Sequence, residues 1–354
     1  MGKKVAIIIP TKNRPEKLIE LLKYYAEIKS CHTIYIGDAS DSQHINEIIP
    51  TIKSLSKYIN INYKQYPEYG RGQSDNAKTI AKMLEIVEEE YSVGSGDDDY
   101  FIPKSLDKCV NFLENNPEYS SAHGYGTFIT YNETKGKLII GGRYILKDYK
   151  ADSASERFKI FSNYTSVLFF SVHRTKIFRK AYKNIEKLPI YPPLFEEIMP
   201  AFMSVTLGNS KKLDFLFLIR GVHSKRIGSS HSNLIEKITY PGWSDAVDIF
   251  IDTLSDELRK LDGIDNMESK EIVKQGFLDY IEKGIREVYC KKEVILLEKI
   301  SNCMSNRVKQ SIPVSIKNFI RNSIFPNDYY DRTGQLSKAS PYYYEFKSLL
   351  DIVK

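Results

Sequence analysis

The first part of the chain alternates between short runs rich in β-branched residues and longer stretches with helical periodicity. Residues 4–10, KVAIIIP, form a continuous run of the kind that is buried on both faces of a parallel sheet. Pro15 then begins a stretch whose apolar residues recur as on one face of an amphipathic helix. This alternation repeats twice before a fourth run begins at Tyr91. Strands that alternate with helices predict a parallel α/β sheet with right-handed connections.

The fourth run leads through a glycine-rich turn into three consecutive acids, Asp97, Asp98 and Asp99. Adjacent carboxylates at a strand end repel one another, so a fold tolerates them best where a cation or a polar ligand offsets their charge. Asp97 and Asp99 stand at alternate positions and can offer oxygen ligands to one hard divalent ion. Mg²⁺ prefers such carboxylates, supplemented by substrate phosphates and water. Taken alone, the triplet has an alternative interpretation as a solvated acidic turn.

Polar groups follow the ends of all four predicted strands. These groups are Thr11, Asp38, the loop at 67–72 and the acidic triplet. In parallel α/β sheets, ligands bind beyond the carboxyl ends of the strands. The sequence therefore predicts one polar site at this edge of the sheet.

The second half of the chain has a different pattern. Ser121–Tyr131 and Lys137–Ile140 predict an antiparallel hairpin, and Thr165–Val172 predicts an apolar strand. The apolar spacing of Leu194–Leu207 predicts a helix, and a strand follows at Leu213–Ile219. From about residue 240 the composition is helical, which predicts a helical C-terminal extension.

Composition excludes several classes of protein. The net charge of +6 favours anionic partners but is too small to argue for nucleic acid. The four cysteines are scattered without a CxxC pair, so we expect reduced cytosolic thiols and no zinc site. The first apolar run is too short for a signal peptide, and no window approaches the roughly 18 apolar residues of a spanning helix. We therefore expect a cytoplasmic protein, soluble or peripheral at the inner face of the membrane.

The basic tail leaves two interpretations open. Its cations, among them Arg307 and Arg321, are interleaved with apolar residues. The segment is either an amphipathic element at a membrane surface or a helix packed on the main domain. Ser340–Lys354 either packs back on the chain or binds a partner.

Four elements, in order, resemble the family 2 glycosyltransferases of the GT-A fold. They are IPTKNRP at the end of the first strand, GDAS after the second, GRGQSDNA at a helix start and a strand into DDD. The resemblance covers roughly residues 3–230. It implies a Rossmann-like, mixed and mainly parallel sheet flanked by helices over residues 1–235. The nucleotide-binding half would span 1–118 and the acceptor half 119–235, followed by the helical extension at 236–354.

The resemblance also implies a nucleotide-sugar donor site. The donor-binding positions it implies are Pro10, Thr11, Arg14, Asp38, Gly70, Arg71, Asn76, Asp97 and Asp98. Asp38 takes the place of the family's base-binding carboxylate, which favours uracil and therefore a UDP-linked sugar. Its alternative role is to cap the next helix. Asp97 would face the ribose hydroxyls.

A divalent cation, Mg²⁺ or Mn²⁺, follows from the same resemblance. Asp99, with Asp97, would hold the ion against the diphosphate, where it stabilises charge on the departing nucleotide. His223 and His231 are candidates to complete the site, and the alternative for each is a solvated loop histidine. The cations Arg220, Lys225 and Arg226 of the same loop would neutralise phosphate.

Transfer with inversion needs a carboxylate that takes the proton of the acceptor hydroxyl. The family places it in an acidic pair at a helix start, where this chain has Glu196 and Glu197. Glu197 is the predicted base, although the pair differs from the commoner Glu-Asp and leaves the choice between them open. The alternative is a purely structural role, since two acids at a helix start also interact favourably with the helix dipole.

The sequence thus predicts an inverting, metal-dependent glycosyltransferase that acts on a glycan or lipid-linked acceptor in surface polysaccharide synthesis. The alternative is a nucleotide-sugar-binding or scaffold protein of the same fold. A third hypothesis, a nicotinamide oxidoreductase, requires GxGxxG after the first strand, where this chain has PTKN, and stabilisation by NAD(P) would favour it instead. A sugar-nucleotide-forming nucleotidyltransferase would need a glycine-rich, arginine-containing loop there. The donor sugar, the linkage and the oligomeric state are not fixed by the sequence.

Overall fold

The computed structural model describes residues 3–69, 75–132, 137–188, 194–222, 238–286, 336, 338 and 340–353. The strands are β1 (Val5–Thr11), β2 (Thr33–Asp38), β3 (Ile61–Gln65), β4 (Tyr91–Gly94), β5 (Asp99–Phe101), β6 (Tyr119–Asn132), β7 (Lys137–Tyr144), β8 (Val172–Arg174) and β9 (Asn209–Val222). The helices are α1 (Pro15–Glu27), α2 (Ser42–Leu55), α3 (Asp75–Ile86), α4 (Pro103–Asn115), α5 (Ala154–Asn163), α6 (Thr175–Lys183), α7 (Leu194–Thr206), α8 (Trp243–Asp262), α9 (266–286) and α10 (Tyr343–Ile352).

The predicted parallel half of the sheet is confirmed. Strand β1 pairs in parallel with both β2 and β4, and β3 extends the sheet beside β2. In this register Thr11 lies opposite Asp38, and Ile8 lies opposite Gly94. The carboxyl ends of β1, β2 and β4 therefore meet at one edge, as the alternation of strands and helices requires.

The other half of the sheet is mixed. The nine strands run in the order β3-β2-β1-β4-β8-β6-β9-β5, and β7 pairs with β6 as the predicted antiparallel hairpin. Strand β8 is antiparallel to β4 and to β6, whereas β6 and β9 are parallel. The chain leaves the acidic triplet as β5 and pairs antiparallel with β9, which places Asp99 opposite Arg220.

The predicted strand over Thr165–Val172 is wrong. Leu168–Phe170 is a 3-10 turn, and the strand proper is only β8. The turn closes on the carbonyl of Leu168, which accepts hydrogen bonds from the backbone N–H of Ser171 at 2.9 Å and from Nε2 of His173 at 2.8 Å. An apolar run that is buried on several sides has the same sequence pattern as a buried strand.

Helices cover both faces of the sheet. One core lies under α1, α2, α4 and α10, and the other lies under α3 and α5–α9. Phe346 and Leu349 of α10 are fully buried against α1, and the hydroxyl of Tyr342 accepts a hydrogen bond from the N–H of Leu216 at 3.0 Å. The last segment therefore packs back on the main domain, which was one of its two predicted roles.

The helical C-terminal region is present as predicted, in α8, α9 and α10. The predicted domain boundary near residue 235 and the basic tail around Arg307 and Arg321 lie outside the described residues. Among the helices that the structure describes, none combines the length and the apolar character needed to cross a membrane.

Candidate active site

A cavity of about 590 Å³ opens at the edge where β1 and β4 end. Its walls come from the loops after these strands, from α3, α5 and α7, and from the turn before β8. The predicted site residues that line it are Pro10, Thr11, Arg14, Asn76, Asp97, Asp98, Glu196 and Glu197. One cavity thus brings together predicted donor-binding residues and both candidate bases.

Asp97 is the most constrained acid of the triplet. It is buried, and its Oδ2 accepts a hydrogen bond from Oγ1 of Thr11 at 2.8 Å. Nη1 of Arg14 lies 2.6 Å from its Oδ1, while Nη2 of the same arginine lies 3.0 Å from Oδ2 of Asp98. Burial raises the pKa of Asp97 to about 7; Arg14 opposes this shift and Asp98 adds to it. The carboxylates are thus held close together at a cost in charge repulsion that Arg14 offsets.

Arg220 makes the corresponding contact with the third acid. Its Nε lies 3.2 Å from Oδ1 of Asp99, and its guanidinium lies over the rings of Tyr144 and Phe170 at 4.7 and 4.4 Å. Burial is the largest influence and acts to lower the pKa of Arg220, but Asp99, Tyr144 and Asp98 together outweigh it and the pKa is raised. Arg220 also lines the cavity, whereas Asp99 does not. The sequence placed Arg220 in a loop, and the structure places it on β9.

The residues around Gly96 fit a hard divalent cation. A Cβ at Gly96 would lie 2.8 Å from Oδ2 of Asp99 and 2.9 Å from Oδ1 of Asp98, so two carboxylate oxygens crowd over a position that only glycine leaves open. Oxygen donors of this kind suit Mg²⁺ or Mn²⁺, which take one or two carboxylates and fill the remaining positions with phosphate and water. The predicted ligands His223 and His231 lie outside the described residues.

Asp38 lies next to the cavity but not in its wall. It is fully buried opposite Thr11; its Oδ1 accepts from the N–H of Ser40, and its Oδ2 accepts from the hydroxyl of Tyr63, both at 2.8 Å. The N-cap residue of α2 is Asp41, so Asp38 does not play the capping role that was its alternative. Tyr63 belongs to no motif and is not among the residues predicted from the sequence, because only its place on β3 beside β2 brings it to Asp38.

The two candidate bases lie in the first turn of α7. Glu197 is exposed and Glu196 is half-buried, and both line the cavity. Tyr182 of α6 lies in the same wall, where burial first and then the two glutamates raise its pKa. The pair therefore adds two carboxyl groups to the cavity that Asp97 and Asp98 also line.

Aromatic residues form another part of the cavity wall. Phe169 packs on Gly94 so closely that a Cβ there would lie 2.0 Å from a ring carbon. Phe161 comes from α5, and Tyr280 comes from α9, where its ring meets that of Phe202 edge-on at 6.0 Å. Tyr280 belongs to the segment beyond the resemblance, so no motif could have identified it.

Four further residues predicted for the site lie outside the described residues. They are Gly70, Arg71, Lys225 and Arg226.

A second group of candidate metal ligands lies elsewhere, at Cys31, His32 and Asp107, whose ligand atoms all lie within 4.8 Å of one another. Both ring nitrogens of His32 are already used. Nδ1 accepts from the N–H of Val5 and Nε2 donates to the carbonyl of Pro103, each at 3.2 Å. With no lone pair left on the ring, this histidine is structural.

No protein family model matches the chain. The chain is 25% identical over 221 residues to an uncharacterized glycosyltransferase of Methanocaldococcus jannaschii, which covers 61% of this chain and 69% of that protein. Among solved structures, it is similar to residues 1–349 of TarS from S. aureus in complex with UDP-GlcNAc, with a TM-score of 0.52 and 13% identity over 78% of this chain and 71% of that one. The same part of TarS in complex with UDP matches with a TM-score of 0.48 and 13% identity over 78% and 70%. The first of these structural likenesses confirms the predicted fold class.

Proposed function

We propose that this chain is a glycosyltransferase that takes its sugar from a nucleoside-diphosphate donor. The observation that carries the proposal is one cavity that joins Asp97, Asp98, Arg14 and Arg220 to Glu196 and Glu197, with Asp99 paired to Arg220 beside it. The sequence likeness to a glycosyltransferase and the fold shared with TarS, which was solved with UDP-GlcNAc, support it.

The donor would lie along the ends of β1 and β4. Arg14 and Arg220 offer guanidinium groups on the cavity wall, and such groups bind phosphate oxygens in a bidentate manner. We place the nucleobase of the donor beside Thr11, where Asp38 and Tyr63 form a hydrogen-bonded pair behind the cavity wall. If donor binding opens this wall, the Asp38 carboxylate would accept the imide N–H of uracil, and that contact would favour UDP over purine nucleotides.

A bound Mg²⁺ or Mn²⁺, held by Asp97, Asp99 and the Asp98 oxygen over Gly96, would supply electrostatic stabilisation of the departing diphosphate. Residues of the chain itself would carry out the proton transfer and neutralise the phosphate charge. Glu197 accepts the proton of the acceptor hydroxyl as that oxygen bonds to the anomeric carbon. The bond from that carbon to the phosphate oxygen breaks on the opposite face, so the configuration inverts. Arg14 and Arg220 neutralise the charge that the leaving diphosphate gains.

The acceptor would enter past the aromatic wall. Phe169 and Tyr280 offer apolar ring surfaces, which match the apolar faces of sugar rings. We propose a glycan or lipid-linked acceptor on this basis. Its use in surface polysaccharide synthesis, the cytoplasmic location and the membrane contact of the C-terminal helices stay predictions.

The test measures donor hydrolysis and sugar transfer by the full chain with UDP-GlcNAc and other nucleotide sugars, with and without Mn²⁺. We expect metal-dependent thermal stabilisation by UDP and turnover of a UDP-sugar. Replacing the base, Glu197→Gln, should lower turnover by about 10²- to 10⁴-fold while UDP still binds. Glu196→Gln is the matched control, and a larger loss there would exchange the two roles. Stabilisation by UDP without turnover on any donor would identify a nucleotide-sugar-binding protein instead.

A further inference from the structure

We infer that Arg14 and Arg220 are exchangeable counter-ions of the acidic triplet. Before a donor binds, they pair with the three carboxylates. When a divalent cation binds those carboxylates, the two guanidinium groups pass to the diphosphate of the donor. This inference rests on the proposed donor site and adds to it a competition between the cation and two residues of the chain.

Each acid of the triplet forms an ion pair with Arg14 or Arg220. Arg14 bridges Asp97 and Asp98 at 2.6 and 3.0 Å, and Arg220 reaches Asp99 at 3.2 Å. The acids are almost fully buried, at 3, 7 and 2% exposure. Each acid therefore has an arginine as a charge partner, and a cation that binds these carboxylates must compete with that arginine.

Charge balance explains why the displaced arginines would bind the diphosphate. A buried charge that loses its partner is strongly disfavoured, so a guanidinium displaced from a carboxylate needs another anion. The side chains of Arg14 and Arg220 are 19 and 18% exposed, and both line the cavity in which the diphosphate would lie. A diphosphate offers oxygen pairs that fit a guanidinium.

The surroundings hold both arginines at the cavity wall. Arg220 lies over two aromatic rings, those of Tyr144 and Phe170, and this contact does not depend on Asp99. Arg14 follows Asn13, which has a left-handed φ of 54° and is tied by its backbone N–H to Oγ of Ser40 at 2.7 Å. Both guanidinium groups can therefore change partners without leaving the cavity.

The experiment titrates the full chain with Mn²⁺ in the absence of donor and acceptor and follows free Mn²⁺ by electron paramagnetic resonance. Arg14→Gln and Arg220→Gln each remove one competing charge, and each should bind Mn²⁺ about 5- to 150-fold more tightly than the wild type, the usual range for two coupled ligands. Arg14→Lys and Arg220→Lys keep the charge and should bind Mn²⁺ close to the wild-type affinity. Arg143→Gln is the matched control, because Arg143 is exposed on β7 and lies over the ring of Tyr125.

Unchanged or weaker Mn²⁺ binding in both glutamine variants would overturn the inference. A glutamine variant that loses its fold is titrated with Mn²⁺ by circular dichroism; recovery of the native signal supports the competition, and no recovery contradicts it. Because no donor is present, this result is independent of turnover. Tighter Mn²⁺ binding in the variants, together with failure of every nucleotide sugar in the transfer assay, would overturn the proposed function alone.

Discussion

Two buried histidines behind the cavity should make the stability of the fold depend on pH. His123 of β6 shares a 2.9 Å hydrogen bond between its Nδ1 and Oγ of Ser171, and His173 of β8 stacks on Phe178 at 4.3 Å. Both are fully buried, and burial lowers the pKa of His123 to about 3 and that of His173 to about 4. In an unfolded chain the pKa of histidine is about 6.5.

The direction follows from which state binds the proton. Below pH 6.5 the unfolded chain takes up protons on these rings while the folded protein keeps them neutral, so the free energy of unfolding falls as the pH falls. The loss begins near pH 6.5 and for His173 continues to about pH 4. Between pH 7.5 and pH 5, each ring accounts for about 2 kcal/mol, at roughly 1.4 kcal/mol per pH unit.

Other groups also titrate in this range, so the assay compares two proteins. The raised pKa of Asp97, about 7, works in the opposite sense because its folded form binds a proton first. In a comparison of the wild type with His173→Gln, the contribution of Asp97 cancels, since the two sites are independent. The glutamine amide can still donate to the carbonyl of Leu168 but does not titrate.

The measurement is urea unfolding followed by the fluorescence of Trp243, the single tryptophan. The wild type should exceed His173→Gln in free energy of unfolding at pH 7.5, and that difference should shrink by about 2 kcal/mol at pH 5. A difference that stays constant within about 0.5 kcal/mol, the usual limit of additivity, would refute the assignment of a neutral buried imidazole.

Three further predictions concern single residues. Arg157→Met removes three hydrogen bonds from a buried guanidinium to backbone carbonyls, at 2.9, 3.0 and 2.9 Å, and should lower the free energy of unfolding by about 3 kcal/mol or more in urea titrations. Gly94→Ala drives a methyl group into the ring of Phe169 and should cost about 1–3 kcal/mol in the same assay. Tyr280→Ala should lower sugar transfer while leaving UDP binding, measured by calorimetry, unchanged, because Tyr280 lines the cavity from α9, which belongs to the part proposed for the acceptor.

The parallel half of the fold was predictable because its signals are local. The apolar composition of residues 4–10 indicates a buried strand, and Pro15 indicates where the next helix begins. Since parallel strands end at one edge, the sequence predicted that Thr11 and the acidic triplet lie at the same edge, and the structure adds the hydrogen bond between Thr11 and Asp97. The resemblance implied Glu196 and Glu197 as the acidic pair of the site, and both line this cavity.

The rest depended on contacts between distant segments. The run Thr165–Val172 has the composition of a buried strand, and only hydrogen bonds to the Leu168 carbonyl reveal a turn. Arg220 could be placed against Asp99 only through the antiparallel pairing of β5 with β9. Periodicity describes which residues are buried, but it does not describe what buries them.

The two sides of the cavity are built from different kinds of structure. The side that we propose for the donor stands on strand ends, where the pairing of β1 with β2 and β4 positions the loops that carry Arg14 and Asp97. The other side stands on α5, α7 and α9, whose contacts are aromatic, as between Phe202 and Tyr280. These ring contacts between helices are separate from the backbone hydrogen bonds of the sheet, and one fold can carry different sites on such elements. Under the proposed function, the strands would fix the chemistry of the leaving group, while the shape of the acceptor site could vary independently of it.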